Sequence, residues 1–476
     1  MLTATVLGSG MASLDATVVN VALPRIGADL DAGLTSLQWT LNAYTLTLSG
    51  LLLLGGSLGD RLGRRRIFLL GVLWFAIASA GCAAAPTVQV LIGMRGLQGV
   101  AAALLTPGSL AIMEAVFRRE DRAAAVGAWS GLGGIAAAAG PVVGGLLAGM
   151  APWGWRLVFL LNLPLAVVVI LVTRRWVPET RDEQATGRLD LPGAGFAALG
   201  LGALVYALTE GPVRRWPVSL AVTAAAGVLL LVAFGVNEHR RRDPMMPLSL
   251  FRSRQFSAAN LVTFLVYAAL SGALFLLAVQ LQLVVGFSPV AAGSALLPVT
   301  AVMLLLSARM GRLAQRIGPR WPMTVGPVLA GVGLALLSQV GADSHYLTGV
   351  LPAVLVFALG LTVTVAPLTA TVLAAAPERQ VGVASAVNNA VARTAGLLAV
   401  AVLPALAGIT PAALADPVLL SNGYQQAVWI AAGLCVAGGL LAALTISDDV
   451  LAGGPDPATV APAGVHPSLE PPVPGR

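Results

Sequence analysis

Two charges lie where apolar sequence should exclude them. Asp15 sits within Leu14-Asp15-Ala16-Thr17-Val18-Val19-Asn20-Val21-Ala22-Leu23-Pro24, and Arg95 within Leu91-Ile92-Gly93-Met94-Arg95-Gly96-Leu97-Gln98-Gly99. Asp15 is the only acidic residue deep in any apolar run of the chain. Burial there penalises its charge, so the carboxylate is suited to take up and release a proton. A guanidinium beside it favours the charged form, and a change in their separation would load or release that proton. A static structural ion pair is the competing reading. Little other chemistry is available. His239, His345 and His466 fall in loops or the tail, and Cys82 and Cys435 sit in apolar runs as small buried hydrophobes. No His/Cys/Asp/Glu cluster has metal-ligand spacing, so no metal is expected. The chain has no lysine and hence no Gly-x4-Gly-Lys-[Ser/Thr] phosphate loop, which argues against ATP-driven work by this chain alone.

The elements that must position these charges are membrane helices. Of 476 residues, 57% are hydrophobic and 10% charged, values that fit a polytopic membrane protein and exclude a soluble enzyme. At about 20 apolar residues per crossing, fourteen spans are expected: 2–24, 38–58, 67–85, 88–113, 124–149, 155–173, 189–209, 218–236, 257–286, 290–308, 321–340, 347–373, 381–409 and 424–447. Asp15 is nine residues before Pro24 and Arg95 seven after Val88. These depths are about 13 Å and about 10 Å from the same membrane face, so the two charges can meet. All 28 basic residues are arginine; 22 fall in alternate loops and the tail on one side, four on the other, and Arg95 and Arg393 within spans. The positive-inside rule then puts both termini in the cytoplasm, and the net charge of +7 implies no nucleic-acid partner. Tryptophans 39, 153, 155, 176, 216 and 321 fall at span ends, as an interfacial aromatic belt would.

An internal repeat organises the spans. Gly56-Ser57-Leu58-Gly59-Asp60-Arg61-Leu62-Gly63-Arg64-Arg65-Arg66 follows the second span, and Gly311-Arg312-Leu313-Ala314-Gln315-Arg316-Ile317-Gly318-Pro319-Arg320 follows the tenth. Aligning Gly63 on Gly318 superposes Gly56 on Gly311, Arg61 on Arg316 and Arg65 on Arg320, and sets Asp60 against Gln315. The expected architecture is therefore all-α: two six-helix bundles, residues 1–173 and 257–447, with a linker over 174–256 carrying two inserted helices. From 448 to 476 the chain turns Pro/Gly-rich and reads as a disordered cytoplasmic tail.

The Gly-x3-Asp-Arg-x-Gly-Arg-Arg loop resembles the signature of the major facilitator superfamily. The Asp15 segment is similar to the opening motif of its drug:proton antiporters, and the Arg95 segment to a fourth-span motif implicated there in proton coupling. Gly140-Pro141-Val142-Val143-Gly144-Gly145, preceded by Gly127, Gly131, Gly133 and Gly134, resembles the fifth-span motif of antiporters, with Ala136 where the family has a glycine. Trp155-Arg156-Leu157-Val158-Phe159-Leu160-Leu161-Asn162-Leu163-Pro164 and Pro247-Leu248-Ser249-Leu250-Phe251-Arg252 match the fourteen-span branch, the EmrB/QacA type.

This resemblance implies a major facilitator fold and a proton-coupled antiporter of the cell membrane. It would export lipophilic drugs or antibiotic-like small molecules by alternating access, as a monomer and without a cofactor. It implies a proton-coupling pair, Asp15 and Arg95, and a conformational latch of Gly56, Asp60, Arg61, Gly63, Arg64 and Arg65. It also implies an antiporter motif at Gly140, Pro141, Gly144 and Gly145. The polar residues expected to line the substrate cavity are Asn20, Asn42, Tyr44, Gln98, Asn388, Asn389 and Arg393. A single deep carboxylate suggests neutral or monovalent cationic substrates over dications. Alternatives are a dedicated exporter of one endogenous metabolite, or a non-transporting sensor or scaffold; the short loops count against the latter.

Overall fold

The structure is a computed structural model. It describes residues 2–116, 132, 136, 139–181, 189–241, 244–377, 380–410, 413 and 416–452. Most of the tail from 453 on, and the glycines at 127, 131, 133 and 134, lie outside the described residues. Long apolar runs become helices because a bilayer offers backbone groups no partner but their own helix. In order these are α1 (Leu2–Asp29), α2 (Leu34–Leu62), α3 (Arg64–Ala83), α4 (Val88–Val116) and α5 (Ala139–Gly149). Next come α6 (Trp155–Trp176), α7 (Leu191–Glu210), α8 (Val218–Arg240), α9 (Arg254–Leu283) and α10 (Pro289–Ile317). Last are α11 (Arg320–Leu337), α12 (Tyr346–Ala374), α13 (Val381–Leu406) and α14 (Pro417–Thr445). Thirteen are long and apolar enough to cross a membrane, and α5 is the described part of the remaining expected span.

Two expected boundaries move for physical reasons. α1 runs through Pro24 to Asp29, since a proline inside a packed membrane helix is tolerated by its neighbours. α2 and α3 absorb the charged loop, leaving Gly63 alone between them. Gly63 has φ 112° and its repeat partner Gly318 has φ 86°, backbone that a side chain would strain.

The packing repeats as the sequence does. α1 packs on α4 and α6, α2 on α4, and α3 on α4 and α6; eight helices later, α9 packs on α12 and α14, α10 on α12, and α11 on α12 and α14. The inserted helices α7 and α8 pack chiefly on each other, and α7 also lies against α2 and α13. Their ends are tied by Asp190, which caps α7 by accepting from Gly193 N (2.9 Å) and also binds Asn237 Nδ2 (2.8 Å) and Arg241 Nη1 (2.9 Å). The outward face of α8 is apolar and exposed, at Val222, Leu229 and Val232 for example, as a lipid-facing surface should be.

The buried apolar residues divide unevenly along the membrane normal. At the end away from the arginines, one cluster runs through both bundles, from Val18, Leu23 and Phe159 to Phe275, Leu334 and Tyr424. At the arginine-rich end there are two clusters. One, around Phe68, Phe75 and Val169, takes its buried residues from the first bundle, with Ala390 of α13 packed against it; the other, around Phe256, Met323 and Ile446, belongs to the second. Among the described residues, the bundles thus share one buried cluster at one end and keep largely separate ones at the other.

Candidate functional site

Asp15 and Arg95 meet. Arg95 Nη1 lies 2.6 Å from Asp15 Oδ2, and both side chains are sealed from solvent. The other carboxylate oxygen, Oδ1, accepts from Gln98 Nε2 (2.9 Å) and Asn162 Nδ2 (2.9 Å). Gln98 in turn accepts from Arg95 Nη1 (2.6 Å) and donates to Ser79 Oγ (2.8 Å), while Arg95 Nε donates to the Thr40 carbonyl (3.1 Å). The Tyr44 ring covers the guanidinium at 4.3 Å. Five helices therefore contribute to the network around one carboxylate, which holds its counter-ion on Oδ2 and two amide donors on Oδ1.

Glycine makes the convergence possible. A side chain at Gly99 would collide with Tyr44 and Thr47, so its absence lets α2 press onto α4 and lay the Tyr44 ring over Arg95. Thr47 Oγ1 fastens the same crossing by donating to the Gly96 carbonyl at 2.8 Å. Tyr44 and Gln98, expected on a cavity wall, belong instead to this buried network. The sequence reading missed Ser79, Thr40 and Asn162. The clue to Asn162 was a lone amide in the apolar run from Leu160 to Leu163.

Arg393 lies on α13 at mid-helix, partly exposed, with Nε donating to Asn389 Oδ1 at 2.9 Å. It stands within electrostatic reach of Tyr44 on α2 and Tyr267 on α9. Asn389 is exposed, whereas Asn388 turns away and donates to Asn260 Oδ1 (3.1 Å) and Thr263 Oγ1 (2.8 Å) on α9. Asn20 is partly exposed and donates to its own helix, to the Ala16 carbonyl at 3.3 Å. Asn42 is buried, and its Nδ2 has no partner among the described residues. Of the residues expected to line the cavity, Asn389 is exposed, and Asn20, Asn388 and Arg393 are partly exposed.

The fifth-span motif sits at two seams. A side chain at Gly140 would run into Thr17, and one at Gly144 would stand 2.7 Å from the Val18 carbonyl, so both residues press α5 onto α1 beside Asp15. Gly145 faces the other bundle, where an added Cβ would lie 2.8 Å from Val290 Cα at the start of α10. Gly293 on α10 is packed against the Pro141 carbonyl. Two glutamines close the same end: Gln38 Nε2 donates to the Val400 carbonyl (2.7 Å) and Gln282 Nε2 to the Val21 carbonyl (3.0 Å), each bridging the bundles.

At the opposite end Asp60 pairs with Arg64 in its own bundle, Oδ1 to Nη2 at 2.8 Å, and Arg64 Nη1 reaches the Ala111 carbonyl of α4. Arg61 ends α2, and Gly56 lies against Pro107 of α4. Arg65 donates from its backbone N to Glu179 Oε1 at 3.0 Å and from Nη1 to the Val177 carbonyl at 3.1 Å. In the second half, Arg320 N donates to Asp448 Oδ1 at 3.0 Å. Glu179 lies three residues beyond the end of α6 at Trp176, and Asp448 three beyond the end of α14 at Thr445. Each carboxylate meets the first turn of a third helix, where exposed amides favour negative charge. Sequence reading passed over both, because their partners are more than 100 residues away.

Residues 5–401 match the Major Facilitator Superfamily. Multidrug resistance protein Stp of Mycobacterium tuberculosis is 36% identical over 394 residues, covering 82% of this chain and 72% of that one. Puromycin resistance protein pur8 of Streptomyces alboniger is 37% identical over 446 residues, covering 90% and 87%. Methylenomycin A resistance protein of Streptomyces coelicolor is 36% identical over 404 residues, covering 84% of each. Among solved structures, a bacterial homologue of the human lysosomal transporter Spinster, inward-facing and unoccupied, superposes with a TM-score of 0.66 at 20% identity, over 93% of this chain and 96% of that one.

Proposed function

We propose, for a chain that belongs to the Major Facilitator Superfamily, export of antibiotic-like or drug-like small molecules in exchange for protons. The relatives above are named for drug and antibiotic resistance, and two others, at 35% and 32% identity, are named for export and efflux. The observation that carries the proton coupling is the sealed Asp15–Arg95 pair, the one carboxylate deep in the spans, held by a guanidinium and two amides. The protein is a multi-pass membrane protein. We place it in the cell membrane as a monomer, with the arginine-rich end and both termini cytoplasmic.

In this arrangement the bundles are parted on the cytoplasmic side and closed on the outer side. Residues 1–173 and 257–447 act as the two rocking units, joined by 174–256. Substrate enters the gap from the cytoplasm while Asp15 is ionised and paired. When the bundles rock, α5 moves with its seam on α10, and Gly140 and Gly144 transmit that movement to α1 at the level of Asp15. Loosening the pair exposes the carboxylate to the outer solution, where it takes a proton; closing again restores Arg95 and expels the proton inward. Asp60 and its arginines latch the cytoplasmic side in the alternate state.

Asp15→Asn tests this. In proteoliposomes it should abolish uphill, proton-driven efflux while leaving downhill counterflow of a neutral substrate. Full uphill activity in that variant would remove Asp15 from the coupling role.

A further inference from the structure

We propose that the cavity selects amphiphiles carrying an ionised oxygen acid, such as a carboxylate or phenolate beside an apolar body, over lipophilic cations, and that Arg393 is the group that reads them. This rests on the reading of the inter-bundle gap as the transport site. The deep carboxylate suggested neutral or monovalent cationic substrates over dications, but the structure takes that carboxylate out of a substrate's reach. Asp15 is fully engaged by Arg95, Gln98 and Asn162 and shut from solvent, so it offers no charge to a substrate in this state.

Arg393 is the opposite case. Helices α9 to α14 contain no aspartate or glutamate, and among the described residues no carboxylate pairs with Arg393. Among the described residues its one hydrogen bond uses Nε, to Asn389, which steadies the guanidinium and leaves both terminal nitrogens to donate elsewhere. Those two nitrogens form the edge that binds a carboxylate bidentately. The ionisable groups around it are the hydroxyls of Tyr44 and Tyr267, which carry no charge to compete. Tyr44 also covers Arg95, so the anion subsite and the proton site share one aromatic neighbour. A cation in this gap would meet an uncompensated positive charge in low dielectric. An anion would meet a steadied, unfilled donor pair.

The test uses three matched probes: pyrenebutyrate, its methyl ester and pyrenebutylamine, with binding to purified protein followed by fluorescence where the acid is ionised and the amine protonated. The acid should bind about tenfold more tightly than the ester, the scale of a charge-assisted hydrogen-bonded pair, and the amine most weakly. Arg393→Gln should lose the acid's advantage over the ester, with an unchanged circular dichroism spectrum reporting an intact fold; Arg393→Lys should keep part of the advantage. Equal affinity for acid and ester in the unmodified protein, or an undiminished acid preference in Arg393→Gln, would overturn the proposal. Proton-driven ester transport in inverted vesicles reads the efflux mechanism separately. Its absence alongside an intact acid preference would reject antiport and leave the anion site standing.

Discussion

Gln38 on α2 donates through Nε2 to the Val400 carbonyl on α13 at 2.7 Å, with both residues buried. The two positions are 362 residues apart in the chain. It joins the bundles, as does the bond from Gln282 to the Val21 carbonyl, and both lie at the end away from the arginines. A buried amide–carbonyl bond contributes about 1 kcal/mol net, which is large for an equilibrium between two states of similar energy.

Gln38→Ala should therefore shift the population toward the outward-open state by roughly fivefold, given about 1 kcal/mol per such bond. Spin-label distances between the outer ends of α2 and α13 report it. An unchanged distance distribution would mean that the bond does not gate the outer side.

Gly145→Ala should act in the same direction and more strongly. Its added Cβ meets backbone atoms of Pro289 and Val290, which cannot rotate away as a side chain could. The outer seam must part, and turnover should fall at least about tenfold if the seam loses 1–3 kcal/mol of packing. Cysteine cross-linking between α5 and α10 distinguishes a parted seam from simple misfolding.

Asp60→Asn should leave the melting temperature nearly unchanged. Its pair with Arg64 is exposed enough to be worth only about 0–1 kcal/mol. Turnover should fall severalfold with substrate affinity retained, because the latch would be needed only in the alternate state. A drop in affinity as steep as the drop in transport would instead give Asp60 a part in binding.

Topology is checked at Arg214, which is exposed beyond α7 and pairs with Glu210 at 3.0 Å. After Cys82 and Cys435 are replaced, a cysteine at position 214 should react with a membrane-impermeant reagent added outside intact cells. Reaction only from the cytoplasmic face would overturn the orientation.

The sequence alone determined what depends on composition and period. Apolar runs of bilayer length dictate helices, because an unpaired backbone cannot hide its polar groups in lipid, so the order of the spans, and thirteen of the fourteen expected, were legible. The repeat of Gly63 at Gly318 announced the duplicated packing, since only a glycine permits both positive-φ turns. Depth counting along α1 and α4 brought Asp15 to Arg95, because rise per residue is fixed in a helix. What the tertiary structure decided is which way each helix turns about its own axis and what lies across from it. Nothing local tells that Tyr44 and Gln98 face the buried pair, that Asn388 turns toward α9 while Asn389 faces the gap, or that Glu179 and Asp448 reach back to the third helices. Helix rotation is set by small residues such as Gly99, Gly140 and Gly144 meeting particular neighbours, a property of pairs of helices rather than of either one. The opening of the bundles at one end alone is likewise an outcome of those seams.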